Sequence, residues 1–147
     1  MTPDGDDGLS VVAAFTRASD AVAAALDVQQ SCHRERWPGG ASLRLRIAVH
    51  TAEAQRREEG SYFGQGVSRC ARLREVAHGG QVVLSRATRD LVLDWLPEHA
   101  ELTNLGVHRL RDLGDPSMFS GWCIRICRWS FLRCVRWTRC PTICPVS

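Results

Sequence analysis

Few residues of this 147-residue chain stand at spacings that chemistry could use. Ser68 and Arg72, four apart, share one face of a helix expected over residues 67–78, while Cys70, Leu73 and Ala77 share the other. A hydroxyl and a guanidinium are thereby held outward by an apolar inner face. Taken alone, such a pair reads as a solvated helix surface. His50 and His108 alternate with apolar strand residues and read as structural histidines. Glu58 and Glu59 beside Arg56 and Arg57 read as a solvated hairpin tip. No Ser/His/Asp or Cys/His set stands at a catalytic spacing.

The elements that must position Ser68 and Arg72 follow from periodicity and turn residues. Leu9–Phe15 is apolar enough for a buried strand. Ser19 and Asp20 are expected to cap an alanine-rich helix with Val22, Ala25, Leu26 and Gln29 on one side. Pro38-Gly39-Gly40 makes a turn, and Leu43, Leu45, Ile47 and Val49 alternate with polar or small neighbours as a half-buried strand. Residues 57–61 form a loop or hairpin tip. Gly64 and Gly66 break the chain before the Ser68/Arg72 helix, Gly79-Gly80 ends it, and Gln81–Leu84 is a short apolar strand. Ser85 caps a third helix with Ala87, Leu91, Val92 and Trp95 at helical spacing, stopped by Pro97, and Leu105–Leu113 reads as a last strand. This order is α+β, with helices on one face of an antiparallel or mixed sheet.

Composition allows one soluble globular domain. The net charge of +3 conceals a split: residues 1–115 carry fourteen Arg and sixteen acids, residues 116–147 five Arg and no acid. Nucleic-acid binding therefore does not follow from the total. All nineteen Lys+Arg residues are Arg, which points to a GC-rich genome. The acidic N-terminus has no apolar core and is not a signal peptide, and a cytoplasmic location with reduced thiols and no membrane anchor is expected.

The run SYFGQGVSRCARLREVAHGGQVVLS resembles the signature of the class III adenylate/guanylate cyclase domain. LRIAVHTAEA and LGVHRLRDL are similar to two further strands of that family, of the mycobacterial type that precedes LuxR-like ATP-binding regulators. The resemblance implies a ferredoxin-like cyclase fold over about residues 8–115, lacking its opening strand. It also implies ATP or GTP as substrate, Mg²⁺ or Mn²⁺ as cofactor, and a homodimer, because the family's sites form between two subunits. Arg72 matches the family's transition-state arginine, and Ser68 stands where the family has asparagine. Ser61 falls at a purine-selecting position. The family's second metal-binding aspartate, counted back from Phe15, falls on Leu9; Asp7 reaches that place only if the hairpin slips by two residues. The resemblance thus implies either a cyclase, degenerate in this chain, or a non-catalytic dimerisation or nucleotide-sensing module.

Residues 116–147 form an Arg/Trp/Cys-rich tail. Its five cysteines invite a zinc reading, but they are spaced C-x₃-C, C-x₆-C, C-x₅-C and C-x₃-C with no histidine. Arginine interleaved with Trp, Phe and Ile invites a membrane-surface reading. A third reading is a frameshift between residues 115 and 122. Read from the third base of GC-rich codons, Trp122 followed by Cys123 forces valine, and the rest becomes an acid-containing, proline-rich linker like the one in those regulators. The expectation is an irregular tail, out of frame and disordered, that contributes nothing to the fold.

Overall fold

The computed structural model describes residues 10–96, 100–109 and 118–126. Among these, a four-stranded sheet in the order β1 (Ile47–Val49), β4 (Val82–Ser85), β6 (Met118–Ile126), β5 (Ala100–Arg109) carries helices on both faces. The class is α+β, as expected.

Helix α1 (Ala18–Arg34) turns Val22, Ala25 and Leu26 inward, the spacing of three and one that makes one helical stripe. One turn further on, Gln29 donates from Nε2 to the carbonyls of Leu45 (2.7 Å) and Gln81 (3.2 Å). A polar side chain on the helix's buried stripe thereby ties α1 to the entries of β1 and β4. A 3₁₀ turn at Pro38–Gly40, with Gly39 at φ 72°, reverses the chain.

Strand β1 (Ile47–Val49) is shorter than the alternation from Leu43 predicts, since Leu43 is exposed. It pairs in parallel with β4 (Val82–Ser85), Ile47 opposite Val82 and Val49 opposite Leu84. The hairpin β2 (Gln55–Arg56) and β3 (Tyr62–Phe63) and helix α2 (Gln65–Val76) form the crossover between them. Val82 and Leu84 join Val22, Ala25, Leu26, Val92 and Ile124 in one core cluster. Val83 points the other way and packs with Leu73 of α2 and with Ala77, the residue that caps that helix. Alternation of side chains along a strand thus feeds two cores, which is why all four residues of β4 are buried.

Helix α3 (Arg86–Val92) lies on the α1 side, and Ser85 caps it by accepting from the Thr88 amide at 3.2 Å. Its buried stripe is Thr88 and Val92, not Leu91 and Trp95, which are exposed. Two causes combine. The chain tightens into a 3₁₀ turn at Leu93–Trp95, changing the period from 3.6 to 3. Thr88 is also drawn inward, because its hydroxyl reaches the Val49 carbonyl (3.2 Å), Ser85 Oγ (3.0 Å) and Thr51 Oγ1 (3.0 Å).

Three sequence expectations need correction. Helices cover both faces of the sheet rather than one, because α2 packs on the side opposite α1 and α3. Residues 10–15 form no strand; Val11 and Val12 are exposed, and among the described residues no strand pairs with them to take their N–H and C=O groups. The largest correction is β6 (Met118–Ile126), which lies within the stretch expected to stay outside the fold. It is an inner strand, antiparallel to β4 (Leu84 opposite Trp122) and to β5 (Ala100–Arg109; Leu102 opposite Ile124). Cys123 and Ile124 are buried on opposite faces, and Trp122 lies 4.5 Å beneath the Arg89 guanidinium. The stretch fills the place between β4 and β5, pairing with β4 over residues 121–124 and with β5 on either side of a bulge between Asn104 and Val107. The remainder of the tail, residues 127–147, lies outside the described residues, as do residues 110–113 of the expected last strand.

Candidate functional site

The candidate site is built on α2. Gly64, at φ 122°, turns the chain out of β3 and serves as N-cap. Gly66 is required by space: a Cβ there would fall 2.7 Å from the Ala52 Cβ and 2.9 Å from the Glu53 carbonyl oxygen. The first turn of α2 therefore presses directly on the segment that follows β1. Leu73 and Ala77 are buried beneath the helix, and the Cys70 thiol donates to the Ala48 carbonyl at 3.5 Å. The inner face is the one periodicity predicts.

The outer face carries Ser68 and Arg72. The Ser68 hydroxyl is exposed and turned back onto the Gly64 carbonyl at 3.5 Å. Arg72 Nη1 lies 3.3 Å from both carboxylate oxygens of Glu75, and its side chain is 37% exposed. Ser61 is exposed in the β2–β3 hairpin, where its carbonyl accepts from the Arg57 amide at 2.8 Å. Among the described residues no hydrogen bond joins Ser61, Ser68 and Arg72 to one another. An open cleft of about 510 Å³ lies between the hairpin and the start of α2, lined by Glu53, Ala54, Gln55, Phe63, Gly64 and Gln65. None of the three predicted site residues lines it.

Asp7 and Leu9 lie outside the described residues. Ser10, the first described residue, accepts a short hydrogen bond from Arg74 of α2 at 2.5 Å. A hydroxyl facing a guanidinium is a poor setting for a divalent cation, which needs several anionic oxygens. Among the described residues no three His, Cys, Asp or Glu side chains gather as a metal site.

Burial shifts two groups beside α2. It pushes the Cys70 thiol above its ordinary pKa, against the smaller opposing effects of the His50 backbone hydrogen bond and of Arg74. It also lowers the His50 imidazole, aided by the positive charge of Arg69. A half-buried thiol with a raised pKa, bonded to a strand carbonyl, serves packing better than nucleophilic attack. Two residues escaped the sequence reading: Glu75, whose position three after Arg72 was the available signal, and Arg74, whose contact with Ser10 spans 64 residues and left no local signal.

No protein-family profile matches the chain. Over 121 residues it is 51% identical to the uncharacterized protein Rv0891c of Mycobacterium tuberculosis, a match covering 82% of this chain and 38% of that protein. A second M. tuberculosis protein, Rv1359, is 46% identical over 98 residues, covering 67% of this chain and 36% of its own length. The chain thus spans well under half of these relatives. No described helix is long and apolar enough to cross a membrane.

Among solved structures, the adenylate/guanylate cyclase/hydrolase from Silicibacter pomeroyi superimposes with a TM-score of 0.63 at 24% identity, over 74% of this chain and 62% of that one. The catalytic core of a rhodopsin-guanylyl cyclase in complex with ATPαS gives 0.62 at 16% identity, over 74% and 57%. The adenylyl cyclase CyaB from P. aeruginosa gives 0.56 at 16% identity, over 78% and 61%. At such identities the likeness concerns architecture, and on that ground the chain has the fold of adenylate and guanylate cyclase domains.

Proposed function

We propose that this chain is a class III nucleotide cyclase homology domain that binds ATP or GTP without cyclising it. The observation that carries the reading is Arg72. In a cyclase fold, after a two-glycine turn, it stands on the outer face of α2, and the resemblance of the surrounding motif assigns it the role of transition-state arginine. Silence follows from two positions in the sequence. Ser68 replaces an amide side chain, and Leu9 stands where a carboxylate would hold the Mg²⁺ or Mn²⁺ that the family uses. Metal charge stabilisation is worth several kcal/mol, and each ~1.36 kcal/mol lost from transition-state stabilisation slows the reaction about tenfold.

A second reading is a non-catalytic dimerisation or nucleotide-sensing module of a larger regulator of the LuxR-like kind. The pairing of Arg72 with Glu75 and the back-bonded Ser68 favour it, since neither side chain is poised toward a reacting group. Both readings place the chain in the cytoplasm as a homodimer.

Equilibrium titration of the full chain with fluorescent ATP and GTP analogues tests the binding claim. Saturable binding that Arg72→Ala removes is expected. No binding, or binding indifferent to Arg72, would overturn it. Sedimentation should show a dimer; a monomer throughout the micromolar range contradicts the shared-site arrangement.

A further inference from the structure

We infer that Glu75 is a positioning residue that holds Arg72 and competes with phosphate for it; the inference rests on the proposed nucleotide binding. Ser68, Arg72 and Glu75 follow one another at spacings of four and three along the outer face of α2. Arg72 Nη1 is equidistant, at 3.3 Å, from both Glu75 oxygens, so a single guanidinium nitrogen faces the whole carboxylate. Helix α2 contains three arginines, Arg69, Arg72 and Arg74, and Glu75 is its one acid. Arg74 is engaged with Ser10.

The carboxylate therefore occupies the place on Arg72 that an incoming phosphate would take, because both anions use the same donors. It also limits which rotamers the arginine visits. A phosphate must displace Glu75 before it can gain the guanidinium. Because the pair is substantially exposed, with side chains 37% and 58% accessible, this competition is weak. Surface pairs of this kind are worth up to about 1 kcal/mol, which is about fivefold in affinity.

Inorganic tripolyphosphate, titrated at low ionic strength into the full chain and into Glu75→Gln, Arg72→Ala and the double variant, tests this. The arginine Nε–Hε resonances and the heat of binding give two readouts. Glu75→Gln is expected to shift the Arg72 resonance before ligand is added and to tighten binding by about two- to fivefold. It should have no effect on affinity in the Arg72→Ala background. Arg72-dependent binding that Glu75→Gln leaves unchanged would sink the inference while leaving nucleotide binding intact. An equal gain in the Arg72→Ala background would reduce Glu75 to a general charge effect and also sink it. Absence of binding by every variant would overturn the nucleotide reading and this inference together.

Discussion

The two faces of α2 are built to different standards. Inward, Leu73 is 1% and Ala77 3% exposed, Gly66 admits no side chain, and Cys70 is bonded to the strand beneath. Outward, among the described residues, Ser68 bonds to its own helix start and Arg72 to a neighbour one turn away. Among the described residues, the inner face of α2 is fixed by packing across the fold and the outer face by local contacts. Catalysis needs side chains held by their surroundings to within a fraction of an ångström.

The comparison can be broken most sharply by removing β6. Termination after Asp115 deletes an inner strand that pairs on both sides and buries Cys123 and Ile124. The cooperative melt should be lost altogether. An unchanged melting curve would show that the tail is dispensable, as its composition alone implies. Next in size, Leu73→Ala should cost about 2–5 kcal/mol in denaturant unfolding, the usual range for emptying a full core position. A loss below ~1 kcal/mol would mean that the inner face is as loosely built as the outer.

A smaller effect follows from His50. Burial and Arg69 favour its neutral form in the folded state, so the unfolded chain takes up the proton more readily. Stability should therefore be complete above about pH 6.5 and decline as the pH falls below that value. His50→Gln should flatten this slope in pH-dependent melts; an unaltered slope would assign it to other groups. Smallest of all, Arg72→Ala should change stability by less than about 0.5 kcal/mol, as expected for an exposed side chain in a single surface pair. A larger loss would make Arg72 a structural residue.

Much of the scaffold was legible locally. The stripe Val22-Ala25-Leu26, the Ser85 cap, the 57–61 hairpin tip and the two faces of α2 each declare themselves within one or two turns of chain. What escaped depends on distant partners. Residues 10–15 look like a strand by composition, yet no described neighbour completes them. Residues 118–126 lack a sustained period of 2 or 3.6, and only the vacant slot between β4 and β5 makes a strand of them. Trp95 was misplaced because a 3₁₀ turn changes the helical period after Val92. The site was legible as a spacing of Ser68 and Arg72. The contacts that determine what those residues can do, Arg72 with Glu75 and Arg74 with Ser10, lie outside any motif.

The central claim is a cyclase fold without cyclase chemistry. Its most direct test is an assay of the purified full chain for cyclic AMP and cyclic GMP formation from ATP and GTP with Mn²⁺, alongside Arg72→Ala. No product above the blank is expected for either protein. Metal-dependent product formed by the wild type and abolished by Arg72→Ala would contradict it.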